Sequence, residues 1–112
     1  MKKIKLNIYE KGLKMYAVIF KAKTKKLDEA YFIMAQRMRE LAMSEYGCLE
    51  FTAVTEGSDE IAISYWDSLE DIKKWKQNSE HLVAQELGQT RWYEEYNVEI
   101  VEVLDSYTKD KI

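Results

Sequence analysis

Three features of the 112-residue sequence predict an α+β domain, a four-stranded antiparallel sheet with helices on one face. Apolar residues alternate along MYAVIFKAK, with Tyr16, Val18 and Phe20 on one side and Met15, Ala17 and Ile19 on the other, as in a strand. LDEAYFIMAQRMRELAMSE places Leu27, Ala30, Tyr31, Met34, Met38, Leu41 and Ala42 on one side at helical spacing. The turn Glu56-Gly57-Ser58-Asp59 separates CLEFTAVT from EIAISYW, which reads as a hairpin.

Taken in order, a basic arm over residues 1–14 precedes a folded domain over 15–107 and a short tail over 108–112. The first strand leads into the amphipathic helix, whose methionines fill core space. Tyr46-Gly47 interrupts the helical pattern before the hairpin. Ser68-Leu69-Glu70-Asp71 opens the helix LEDIKKWKQ as a capping pattern. Asn78 or Ser79 is expected to cap a further helix through His81 to Trp92. The β-branched run YNVEIVEVLDSY closes the chain as a long last strand. The expected order is β-α-β-β-α-α-β, with the two later helices acting as one interrupted crossover, which suits a ferredoxin-like sandwich. Such a sandwich leaves one sheet face uncovered, so a homodimer closed sheet to sheet is expected.

Composition narrows the classes. With 46% hydrophobic and 33% charged residues, the chain suits one small core. No apolar run reaches the roughly 18 residues of a membrane span, and MKKIKLNIYEKG lacks a secretory signal pattern, so a cytoplasmic location is expected. Residues 1–26 hold nine lysines against one acid, Glu10, but the net charge is −3 and no nucleic-acid motif accompanies the lysines. No membrane or nucleic-acid partner is expected. Cys48, the single cysteine, reads as a small buried hydrophobe in a reducing compartment. No zinc-ligand cluster, P-loop or dinucleotide fingerprint is present, and no metal site is expected.

Chemistry concentrates in NSEHLVAQELGQTRWYEEY, which holds the only histidine. On a helix, Gln85, Gly88 and Trp92 fall within about 40° of His81. A mid-helix glycine costs about 1 kcal/mol relative to alanine. Gly88 either opens a gap between polar groups and an indole or lets the helix pack closely on the sheet. Near a helix N-terminus the imidazole is held neutral, able to accept a proton, donate a hydrogen bond or ligate iron. A lone histidine is more often structural or exposed, and Trp66, Trp75 and Trp92 are core contributors first. Arg91 and Tyr93 read as surface or core-edge residues that could reach a polar substituent.

The run from Ile63 to Val103, ISYWDSLEDIKKWKQNSEHLVAQELGQTRWYEEYNVEIVEV, resembles the antibiotic biosynthesis monooxygenase domain family, in particular short bacilli-type members. YAVIFKAK, the helix segment Arg37-Met38-Arg39-Glu40-Leu41 and Gly47-Cys48-Leu49 fit the same pattern. The resemblance implies a dimeric ferredoxin-like α/β barrel. It also implies a cofactor-independent monooxygenase-like protein that holds an electron-rich aromatic or quinone-type compound between sheet and helices. Substrate deprotonation then permits electron transfer to dioxygen. Trp66 matches the family's strand-end tryptophan, and His81-Leu82 matches a common histidine motif. The catalytic residues expected are His81 and Trp66, with Gln85, Gly88 and Trp92 binding substrate and no cofactor required.

The alternatives are a haem-binding or haem-degrading monooxygenase and a non-catalytic dimeric small-molecule binder. Haem-degrading members use a first-strand asparagine and a later histidine on the last helix. Here YAVIFKAK has no asparagine and Gln85 stands at the histidine's place. Quinol-type members often carry a histidine where this chain has Trp75.

Overall fold

The computed structural model describes residues 14–85 and 91–109, without the side chains of 81–85. Six elements follow in order: β1 (Tyr16–Thr24), α1 (Glu29–Glu45), β2 (Glu50–Glu56), β3 (Asp59–Trp66), α2 (Leu69–Gln85) and β4 (Tyr93–Glu102). The strands form one sheet in the order β2-β3-β1-β4, and every neighbouring pair is antiparallel. This is the expected ferredoxin-like α+β fold.

Local chemistry sets the element ends. Asp28 caps α1, its carboxylate accepting from the Tyr31 N–H at 3.0 Å. The helix ends at Tyr46, and Gly47 takes φ 84°, a left-handed conformation that side chains resist. Gly57, at φ 61°, starts the two-residue turn joining β2 and β3. Ser68 caps α2 as expected, its Oγ accepting from the Asp71 N–H at 3.1 Å.

One expectation is corrected. Asn78 and Ser79 do not begin a new helix; α2 runs unbroken from Leu69 to Gln85. Ser79 donates its hydroxyl to the Trp75 carbonyl four residues back, at 2.9 Å. A serine satisfied within its own helix has no call to cap another. The order of described elements is therefore β-α-β-β-α-β.

Both helices lie on the sheet face carrying Tyr16, Val18 and Phe20, and two core clusters form there. One gathers Ala22, Tyr31, Met34, Trp92 and Tyr93; the other gathers Val18, Ala42, Cys48, Trp66 and Ile72. Cys48 is buried, its thiol 3.2 Å from the Glu50 carbonyl and its pKa raised by burial. The opposite face carries Val54, Ile61 and Val101, each more than a third exposed.

Candidate functional site

Between the sheet and the two helices lies a cavity of about 560 Å³. Its origin is a run of small side chains. Ala53 and Ala62 are paired across β2 and β3, Ser64 follows on the same face, and Ala35 comes from α1. Large residues flank this floor, but these positions cannot reach the helices, so close packing fails there. Phe20, Phe51, Trp75, Tyr93, Tyr96 and Val98 add apolar wall, while Gln36, Arg39, Glu40, Lys76 and Glu80 form an exposed polar rim. The volume is within the range of ligand pockets.

A polar cluster sits at one end. Tyr31, buried on α1, donates its hydroxyl to Glu60 Oε1 on β3. Burial, reinforced by Glu60, pushes the Tyr31 phenol far above its ordinary value. Burial raises Tyr93 to about 12. Both phenols therefore stay protonated at neutral pH. Rings surround them: Tyr31 meets Tyr93 edge-on at 6.1 Å, Phe20 meets Tyr93 at 5.5 Å, and Phe20 stacks on Tyr96 at 5.8 Å.

A β-bulge aims Tyr93 inward. Tyr96, Val98 and Ile100 pair opposite Ala22, Phe20 and Val18, so strict alternation would turn Glu94 toward the helices. The register shifts between Lys23 and Thr24, and Tyr93 pairs with Thr24 instead. An aromatic phenol thus replaces a carboxylate on the inner face.

The residues singled out from sequence are distributed differently. Trp66 is fully enclosed; its indole N–H donates to Ser64 Oγ at 2.8 Å and its ring packs on Trp75 at 5.4 Å. Trp75 lines the cavity, and Trp66 backs it. Trp92 is also fully enclosed, packed on Tyr31 at 5.4 Å, with its N–H on Asp28 Oδ1 at 3.1 Å. Neither indole is among the described lining residues, and the two belong to separate core clusters. His81 and Gln85 lie on α2, with His81 directly after the lining residue Glu80, but their side chains fall outside the described residues. Gly88 lies outside them altogether.

Sequence reasoning missed Tyr31 and Glu60 as site residues. Tyr31 reads simply as part of a core stripe. Glu60 left a signal: with Ala62, Ser64 and Trp66 it forms the inward set of β3, the one carboxylate in that set. Among the described residues no group of three or more His, Cys, Asp or Glu side chains is placed to hold a metal. No helix among them is long and apolar enough to cross a membrane.

Fold and cavity together define a class: a single-sheet α+β protein with a ligand-sized, largely apolar chamber beneath its helices. The chain belongs to the antibiotic biosynthesis monooxygenase family, whose model matches residues 15–87. It is 39% identical over 89 residues to YqjZ of Bacillus subtilis, covering 79% of this chain and 78% of that protein. SnoaB from Streptomyces nogalater, a cofactor-independent oxygenase, superposes with a TM-score of 0.68 at 8% identity, covering 85% of this chain and 98% of the other. Rv0793 from Mycobacterium tuberculosis gives 0.68 at 14% identity, covering 84% and 99%. At such identities the structural likeness is one of fold.

Proposed function

We propose that the protein is a cofactor-independent monooxygenase-like enzyme acting on a small aromatic or quinone-type compound. The observation that carries this is the apolar chamber with one hydrogen-bonded polar cluster at its end. Aromatic walls hold a flat ligand and exclude water, which strengthens polar interactions inside. A substrate prepared for reaction with dioxygen must lose a proton, and a positioned base contributes about 10²–10⁴-fold to such a step. His81 is our candidate for that base, on the helix that supplies Lys76, Ser79 and Glu80 to the lining. Trp66 and Trp92 act from behind the wall, holding Trp75 and Tyr31 in place.

We further propose that two copies pair through the face bearing Val54, Ile61 and Val101, because that much apolar surface is costly in water. The functional reading is tested by an oxygen electrode with a panel of hydroquinones and phenols. Uptake above the protein-free rate supports it. Ligand binding without uptake leaves a non-catalytic binder. A Soret shift on adding haemin would move the assignment to the haem alternative, for which His81 is the residue to test.

A further inference from the structure

Glu60 is the one carboxylate that the sheet contributes to the described lining of the cavity. The other two, Glu40 and Glu80, stand exposed on the helices, and Glu40 already accepts from the Gln36 side chain at 3.1 Å. Glu60 is half-buried, and among the described residues no cation pairs with it. Lys23, on the neighbouring strand, is committed to Asp59 at 2.6 Å. The Tyr31 hydroxyl donates to Oε1, and the edge-on packing of its ring against Trp92 at 5.4 Å holds that donor in place. Oε2 has no hydrogen-bond partner among the described residues. An ionised carboxylate has no proton to give, so this oxygen can only accept.

We propose that Glu60 is the specificity-determining acceptor of this cavity, its Oε2 taking a hydrogen bond from one neutral ring hydroxyl of the ligand, with Tyr31 as the positioning residue. A flat ligand that fills the chamber drives out the water that otherwise solvates Oε2. If it brings a hydroxyl proton, the lost hydration is replaced; if it is the matching ether, a charged oxygen is left without a donor, which is costly in apolar surroundings. Sites that hydrogen-bond a substrate hydroxyl reject analogues lacking it for this reason. A phenolate is disfavoured too, because it meets a like charge. Phe20 and Tyr96, stacked at 5.8 Å, supply the flat wall for the ring that bears the hydroxyl. This inference rests on the cavity being the substrate site, as proposed above, but not on any reaction with oxygen.

Equilibrium dialysis of 2-naphthol and 2-methoxynaphthalene at pH 7 tests it without turnover. The ether's extra methyl group favours it in an apolar cavity, so a preference for the naphthol must come from the hydroxyl proton. The intact protein is expected to bind the naphthol about tenfold more tightly, the value of one hydrogen bond to a half-exposed charged group. Glu60→Gln keeps the shape and leaves a carbonyl oxygen for Tyr31, but turns an uncharged amide N–H toward the ligand. The ether should then bind as tightly as the naphthol or more tightly. Tyr31→Phe releases the carboxylate toward solvent and should lower the naphthol-to-ether ratio, which a merely structural tyrosine would leave unchanged. Equal affinities in the intact protein, or the full preference retained in folded Glu60→Gln, would overturn the proposal while leaving the oxygenase reading standing. Failure of both compounds to bind would overturn it together with the cavity as the substrate site. A hydroxyl preference without oxygen uptake would support it and sink only the oxygenase reading.

Discussion

Tyr31 connects more of this site than any other described side chain. It caps nothing and bonds to no backbone through its ring, yet it touches Glu60, Tyr93 and Trp92 at once. Tyr31→Phe should cost about 1–2 kcal/mol in a denaturant titration, the net value of a hydrogen bond to a carboxylate that is not fully enclosed. Alkaline titration gives a second check. Tyr93 has a folded pKa of about 12, above its ordinary 10.0. Its contribution is fully present below pH 10 and is lost as pH rises toward 12, because the unfolded chain then gives up the proton first. The rise from 10.0 to about 12 corresponds to about 3 kcal/mol. Stability that stays flat across that interval would show that Tyr93 is not enclosed as described. Ala62 offers a third residue-scale test. Ala62→Phe would fill the cavity floor and should abolish ligand uptake while leaving the thermal midpoint unchanged or higher.

At the scale of elements, α2 runs on through Asn78 and Ser79, where the sequence suggests that a new helix begins. Ser79→Pro separates these descriptions. Inside a continuous helix the ring clashes with the preceding turn and removes a backbone donor, at about 3 kcal/mol or more. At the start of a new helix it would be tolerated. We expect the loss, read as a fall in the urea midpoint. Capping serines look alike in a sequence, and only the Trp75 carbonyl shows which role Ser79 has. The strands were more legible. Alternation along β1 and the Gly57 turn specify the sheet register, since a one-residue slip would turn Val18 and Phe20 away from the helices. The bulge at Lys23/Thr24 was not legible, because nothing in TRWYEEY marks which residue loses its place in the ladder. That single irregularity brings Tyr93 into the site. Trp66 and Trp92 read correctly as large core residues, and their places behind Trp75 and Tyr31 depend on tertiary packing that spacing does not encode. Asp28 ties elements together as well: it caps α1, pairs with Arg91 and receives the Trp92 N–H. The Tyr31 N–H foremost, aided by Arg91 and Trp92, lowers its pKa. Its contribution is therefore present above the ordinary carboxylate value and is lost as pH falls through the lowered one. Asp28→Asn should flatten the acid limb of the stability profile.

For the molecule as a whole, the sheet divides two tasks. One face, under the helices, encloses the chamber; the other bears Val54, Ile61 and Val101 for the proposed partner copy. Sedimentation should show a dimer at micromolar concentration, and Ile61→Lys should shift it toward monomer by placing a charge within that apolar face. A wild-type monomer would contradict the pairing. The central claim of the proposed function is that a ligand held in the chamber reacts there with dioxygen unaided. The most direct measurement is mass spectrometry of product formed under ¹⁸O₂ by protein stripped of metal and flavin, using a hydroquinone that the cavity binds. The account predicts product carrying one labelled oxygen atom, formed in proportion to enzyme. Unlabelled product, or no product above the protein-free rate for any bound compound, would contradict it.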